Sequence, residues 1–358
     1  AQGGIEQYNS GFQIQNLDAS EAATIEIMFY NLDGSVAATV NDTIAADDSN
    51  TYFPLDAVAD GFFGSVVVAS NRDVRGIVNV LGNGLDFGAS YSGFTMGADE
   101  ALPLLMKDNA GWTTWFNVQN TGSAATDVEI TYSDGLTASC TGLAPGAACT
   151  LDQADEAHVA GWIGSAMVSA DEPVAVTVME VGATTLFGYS GFTGGSPEVA
   201  MPLINANNSG FITGVQIQNL GTADTEVTVT YTPSTAGTSC METKDNPSGE
   251  SATFALQAFT AAGVCGDQTF IGSAEVTANS AGSDLVAIVN QLNIATNKGA
   301  AYEAFDPSAA TDTVVMPLIM DRNSGYFTGF SVTNVGSAST TVNCTFSGTC
   351  LLYTSPSP

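Results

Sequence analysis

The 358 residues contain one histidine, His158, in an acidic stretch with Asp155 and Glu156. A histidine held by a carboxylate can activate a hydroxyl nucleophile, so nucleophilic chemistry is the first thing to test. No G-x-S-x-G elbow accompanies it. His158 therefore reads as a surface or loop residue. The adjacent carboxylates Asp171-Glu172 and Asp47-Asp48 have the chemistry of a glycosidase pair. They sit beside proline or in turn-rich loops, where solvated acids need no further role. No catalytic residue is assigned, and the chain is read as non-enzymatic.

Oxygen-bearing side chains gather in three turns at equivalent places. Asp108 and Asn109 form one, Asn205 and Asn207 the second, and Asp321 and Asn323 the third. Carboxylate and amide oxygens are ligands for Ca²⁺, the one cofactor the sequence suggests. Ordinary Asx-turn chemistry is the competing reading, favoured by Lys107 and Arg322 beside these turns. Asn41, Asn207 and Asn343 each open an N-x-S/T triplet and are glycosylation candidates.

Six cysteines stand at 140, 149, 240, 265, 344 and 350, with no C-x-x-C pair. With a single histidine, a zinc site is disfavoured. Pairing Cys140 with Cys149 and Cys240 with Cys265 suits an oxidising compartment. Six Lys+Arg face 37 Asp+Glu, a formal charge of −31. Such a surface repels nucleic acid and anionic lipid, which removes both as partners. No apolar run is long enough for a transmembrane helix.

The elements that must position these residues follow from a repeat. Leu102-Pro103-Leu104-Leu105, Met201-Pro202-Leu203-Ile204 and Met316-Pro317-Leu318-Ile319 open three copies. Each is followed by a polar turn ending in glycine and then an alternating strand ending in Asn120, Asn219 or Asn334. Ser10-Gly11-Phe12-Gln13-Ile14-Gln15-Asn16 carries the same strand near the start. A second landmark, Phe63-Gly64-Ser65, Ile163-Gly164-Ser165 and Ile271-Gly272-Ser273, recurs at the same interval of about 100 residues. The terminal asparagines read as caps on the turn backbone. Tyr91–Phe94, Tyr189–Phe192 and Tyr302–Phe305 close the copies and read either as junction aromatics or as core.

Within the third copy about seven strands are expected: Met201–Ile204, Gly214–Asn219, Glu226–Tyr231, a piece near Cys240, Ala252–Leu256, Ser273–Ala278 and Leu285–Leu292. Val227, Val229 and Tyr231 alternate with Thr228 and Thr230, the period of a half-buried antiparallel strand. Gly221-Thr222-Ala223-Asp224 and its counterparts at Gly122 and Gly336 read as hairpin turns. No long segment has helical periodicity. The fold class is all-β, built from antiparallel sandwiches.

On this strand rhythm and these motifs, the module resembles the tandem immunoglobulin-like repeats of bacterial cell-surface and extracellular proteins. The resemblance covers nearly the whole chain and is one of architecture. The immunoglobulin spacing of Cys, Trp and Cys across two sheets is absent. The division expected is 1–100, 101–198, 199–313 and a partial fourth copy at 314–358, with an atypical or missing first strand in the first copy. The start at Ala1 suggests a mature secreted chain. The tail from Cys350 breaks the repeat and looks like translated read-through, which favours a fragment of a longer array.

A non-enzymatic extracellular structural protein is the expected function, as a subunit or segment of a filament, surface layer or stalk. Head-to-tail self-association is the partner relationship this implies. An adhesin or carbohydrate-binding array, bound to surface glycans, is the main alternative, and an accessory region of a larger secreted enzyme is another. The three tryptophans, Trp112, Trp115 and Trp162, fall in one copy, which weighs against an aromatic platform repeated in every copy.

Overall fold

The computed structural model describes residues 8–82, 87–93, 96–280, 282–323 and 325–346. Among them there is no α-helix, and the chain is all-β with antiparallel sheets. Phe94 and Cys350 lie outside the described residues.

The first segment holds β1 (Asn9–Asn16), β2 (Ala23–Asn31), β3 (Val36–Ile44), β4 (Ser49–Tyr52), β5 (Gly64–Ser70), β6 (Val74–Gly82) and β7 (Phe87–Ser92). The second holds β8 (Gly97–Lys107), β9 (Thr113–Asn120), β10 (Thr126–Tyr132), β11 (Thr137–Leu143), β12 (Ala148–Asp152), β13 (Trp162–Val181) and β14 (Leu186–Ser190). The third holds β15 (Glu198–Ala206), β16 (Phe211–Asn219), β17 (Thr225–Ala236), β18 (Cys240–Asn246), β19 (Ser251–Phe254), β20 (Phe270–Ala278), β21 (Leu285–Asn293) and β22 (Lys298–Glu303).

One pairing order recurs. The third segment forms β15-β20-β17-β18 and β19-β16-β21-β22. The first forms β3-β2-β5 and β4-β1-β6-β7. In the second, the long strand β13 serves both sheets. Its first half, as far as Ala170, pairs with β8 and β10, and its second half, from Val174, pairs with β9 and β14. Asp171-Glu172-Pro173 carries it across. Proline cannot donate to a ladder and is suited to such a break. Alternation sets which face is buried: β10 reads buried-exposed throughout, from Thr126 to Tyr132. Each segment has its own core drawn from both of its sheets, around Ile25, Ile27 and Phe29, around Phe116, Ile130 and Val176, and around Ile217, Tyr231 and Val276.

Two expectations change. The Gly221 turn is not a hairpin. β16 pairs with β19 and β21, while β17 pairs with β18 and β20, so the turn crosses from one sheet to the other. The cause is Asn219, which is fully buried. Its Oδ1 accepts from Gly221 N (2.9 Å), and its Nδ2 donates to Ala223 O (2.9 Å) and Asn246 O (3.0 Å). This folds the turn inward and ties it to the end of β18. Asn120 does the same with Gly122, Ala124 and Leu143, and Asn16 with Asp18, Glu21 and Ile44. Asn334 makes the local part of the set with Gly336 and Ala338. The strand-ending asparagines are caps, as expected.

The second change is an eighth strand, β22, in the third segment. Its sequence, Lys298-Gly-Ala-Ala-Tyr-Glu, has little β-branched content, so propensity hides it. Pairing with β21 from Ile288 to Asn293 forms it. Beyond it, the described residues of 314–346 hold only the short hairpin β23 (Asp321–Asn323) and β24 (Tyr326–Phe327), and the alternating strand expected to end at Asn334 is not formed there.

Candidate functional site

The recurring landmarks are first of all holders of backbone. β8 and β15 bulge at their Pro-Leu pairs, where the register against β13 and β20 shifts. A bulge leaves a peptide unit without a ladder partner. Tyr189 supplies one: its hydroxyl accepts from Leu104 N (3.2 Å) and donates to Leu104 O (2.7 Å). Tyr302 treats Leu203 identically, at 3.2 and 2.7 Å. Burial raises both phenols well above the ordinary tyrosine range, against the opposing effect of these backbone hydrogen bonds. The glycine of the second landmark marks close strand approach. A Cβ on Gly64 would strike the Tyr30 carbonyl, and one on Gly272 the Thr232 carbonyl.

The same strands build the junctions. β7, β14 and β22 each touch the other two, so the three segments converge. Ser190 is the hinge point of the polar contacts: its amide donates to Glu303 Oε1 (2.7 Å) and its hydroxyl to Ser92 O (3.3 Å). Between the first and second segments, Tyr8 and Val80 pack with Met179 and Leu186, flanked by Trp115 and Tyr91. Ala148 N also donates to Leu32 O (3.0 Å). Burial pushes Tyr91 up to about 12.

Between the second and third segments, Ile288 of β21 is fully buried within the second segment's core. Ser165 Oγ donates to Gly249 O (3.1 Å). Asn290 Nδ2 donates to Glu180 Oε2 (2.6 Å). Glu180 is fully buried, and its Oε1 has no partner. Desolvation pushes its carboxyl up to about 8, against the Asn290 hydrogen bond. Burial also raises Glu303, and it pushes Glu100 of β8 up to about 8. Glu100 stands where the third segment has Val199, and its Oε2 is likewise unpartnered.

Sequence reading did not single out these three glutamates. The available signal was an acid inside an apolar run, as in Val176-Thr177-Val178-Met179-Glu180-Val181. A further buried acid, Glu242, accepts from Tyr231 Oη (2.9 Å) and Ala255 N (2.9 Å) and pairs with Lys244 (2.7 Å).

His158 lies in the loop between β12 and β13, one of the two places expected, but it is buried there rather than at the surface. Its Nδ1 lies 2.7 Å from Asp134 Oδ2 and its Nε2 3.1 Å from Gln153 Oε1. Its ring stacks on Trp162 at 3.7 Å, with Tyr132 edge-on. The burial comes from this aromatic box. A His-Asp pair exists, but the amide of Gln153 occupies the position a nucleophilic hydroxyl would take. Glu172 Oε2 accepts from Ser123 N (2.8 Å), which makes it a turn anchor.

The turns proposed for Ca²⁺ are held by their own amides. Asn109 Nδ2 donates to Gly161 O (2.7 Å), Asn205 Nδ2 to Gln291 Oε1 (2.8 Å), and Asn207 Nδ2 to Phe259 O and Asp267 Oδ1 (both 3.0 Å). Asp108 N donates to Thr113 Oγ1 (3.2 Å), and Asp321 pairs with Arg322 (3.4 Å). Asn323 lies in β23. Among the described residues, no three His, Cys, Asp or Glu side chains are grouped to hold a metal. Asn41 and Asn343 are exposed, whereas the Asn207 amide is engaged as above.

Cys140 is bonded to Cys149, joining β11 to β12, and Cys240 to Cys265. Cys344 is an exposed free thiol. The tryptophans are packed: Trp112 stacks on Phe187 at 5.1 Å, and Trp115 lies between Tyr8 and Phe63. No protein-family model, curated protein or solved structure matches the chain.

Proposed function

We propose that the chain is a structural building block of the extracellular space, made of tandem immunoglobulin-like sandwich units. Its role is to present a rigid, acidic, disulfide-stapled body within a filament, surface layer or stalk. One observation carries this reading: the recurring residues are used to hold backbone. The asparagines cap crossovers, the tyrosines brace bulges and the glycines admit close strands. Two disulfides suit an oxidising compartment. No helix among the described residues is long and apolar enough to cross a membrane.

Self-association is part of the proposal. The test is negative-stain electron microscopy of protein taken from its native source. Fibres or a lattice with a repeat matching this body support a structural role. Single dispersed particles at all concentrations overturn it.

A further inference from the structure

Among the contacts between the second and third units is one buried carboxyl group whose chemistry is unfinished. Asn290 of β21 donates to Glu180 Oε2, and two oxygens of the same pair, Glu180 Oε1 and Asn290 Oδ1, are buried with no donor. Two orphaned acceptors in one hydrogen-bonded pair is a costly arrangement. A single proton on Glu180 removes the cost, because a carboxylic acid donates as well as accepts. Acid and side-chain amide can then satisfy each other.

We propose that Glu180 and Asn290 form a proton-operated latch between the second and third units, closed when Glu180 is a neutral acid and weakened when it ionises.

The surroundings support this. β9 presents Thr114 opposite Glu180, and β14 presents Phe187. The ionisable groups nearby are Tyr189 on β14, which feels both Glu180 and Glu303, and Glu303 itself on β22, accepting from Ser190. Glu100 lies on β8, and Asn290 on β21 is uncharged. None of the ion pairs among the described residues involves Glu180, so the Asn290 hydrogen bond favours the anion without help from a paired cation.

Equivalent positions sharpen the point. Glu180 faces Thr114, Gln291 faces Thr213 and Val80 faces Ser10, each the sixth residue before a capping asparagine. In the third unit this place holds an amide: Gln291 donates to Leu203 O (2.8 Å) and accepts from Asn205 (2.8 Å). An amide fits there permanently, a neutral acid only while protonated. The carboxyl is raised by burial to about 8 from an ordinary value of 4.5. Its stabilising contribution is therefore complete below the unfolded value and is lost as pH rises through about 8.

The experiment is hydrogen exchange of the β21–β22 region in the full chain from pH 5 to 9, corrected for intrinsic exchange. Wild type is compared with Glu180→Gln and Asn290→Asp. Wild-type protection should fall progressively from pH 5 to about 8 and level off above it, ending about tenfold below Glu180→Gln at pH 9. Asn290→Asp removes the amide donor and adds a second acid that shares the proton, so the final loss should move to higher pH. If Glu180→Gln follows the wild-type pH response, or Asn290→Asp leaves it unmoved, the latch is wrong.

Discussion

The Tyr302 hydroxyl both donates to the carbonyl of Leu203 and accepts from its amide, closing the peptide that the β15 bulge leaves open. Replacing it with phenylalanine keeps the ring and deletes both bonds. A partly buried amide and carbonyl then lack partners, at about 1–3 kcal/mol. Tyr302→Phe is expected to lower the stability of the third unit by that amount in chemical denaturation. Tyr189→Phe should do the same in the second unit.

Asn219 ties the crossover turn to the end of β18 through three hydrogen bonds from a fully buried side chain. Asn219→Ala leaves these backbone groups unpaired. The expected loss is about 2–4 kcal/mol, larger than for an exposed cap. Thermal unfolding of the single variant checks it, and Asn334→Ala, on an exposed residue, serves as the weak comparison.

Gly272 sits where β20 runs against β17 with no room for a side chain. Gly272→Ala must push the strands apart, at about 1–3 kcal/mol or more. The same change at Gly111, whose surroundings are open but whose φ is +86°, should cost only its backbone strain of about 1 kcal/mol.

Ile288 belongs to the third unit by sequence and to the second unit's core by position. Ile288→Ala is expected to cost about 2–5 kcal/mol and to loosen the junction. Convergence of β7, β14 and β22 also predicts a small radius of gyration, about 20–22 Å for a compact chain of this length. Small-angle scattering giving a rod with a much larger value would contradict the convergence.

Reduction should destabilise both stapled units. The disulfides close loops of sequence separation 9 and 25. Loop entropy gives about 2.5 kcal/mol for the shorter and about 3.5 kcal/mol for the longer. Cys240→Ser/Cys265→Ser is thus expected to lower unfolding midpoints more than Cys140→Ser/Cys149→Ser.

The sequence by itself determined the all-β class, most of the strands before residue 300 and their period. Alternation in segments such as Val227–Tyr231 is local chemistry, and the repeated Asn, Gly and Pro-Leu landmarks each mark a backbone need that recurs with the fold. Tertiary structure decided which sheet each strand joined. The Gly221 turn has the composition of a hairpin, and only the reach of Asn219 to Asn246 makes it a crossover. It decided β22, whose weak propensity is overridden by pairing with β21. It also placed His158 in an aromatic box. Above all it decided the junction, because Glu180 and Asn290 lie 110 residues apart and nothing local to either announces the other. Burial and charge desolvation are properties of assembled surfaces, and they exist only once the units have met.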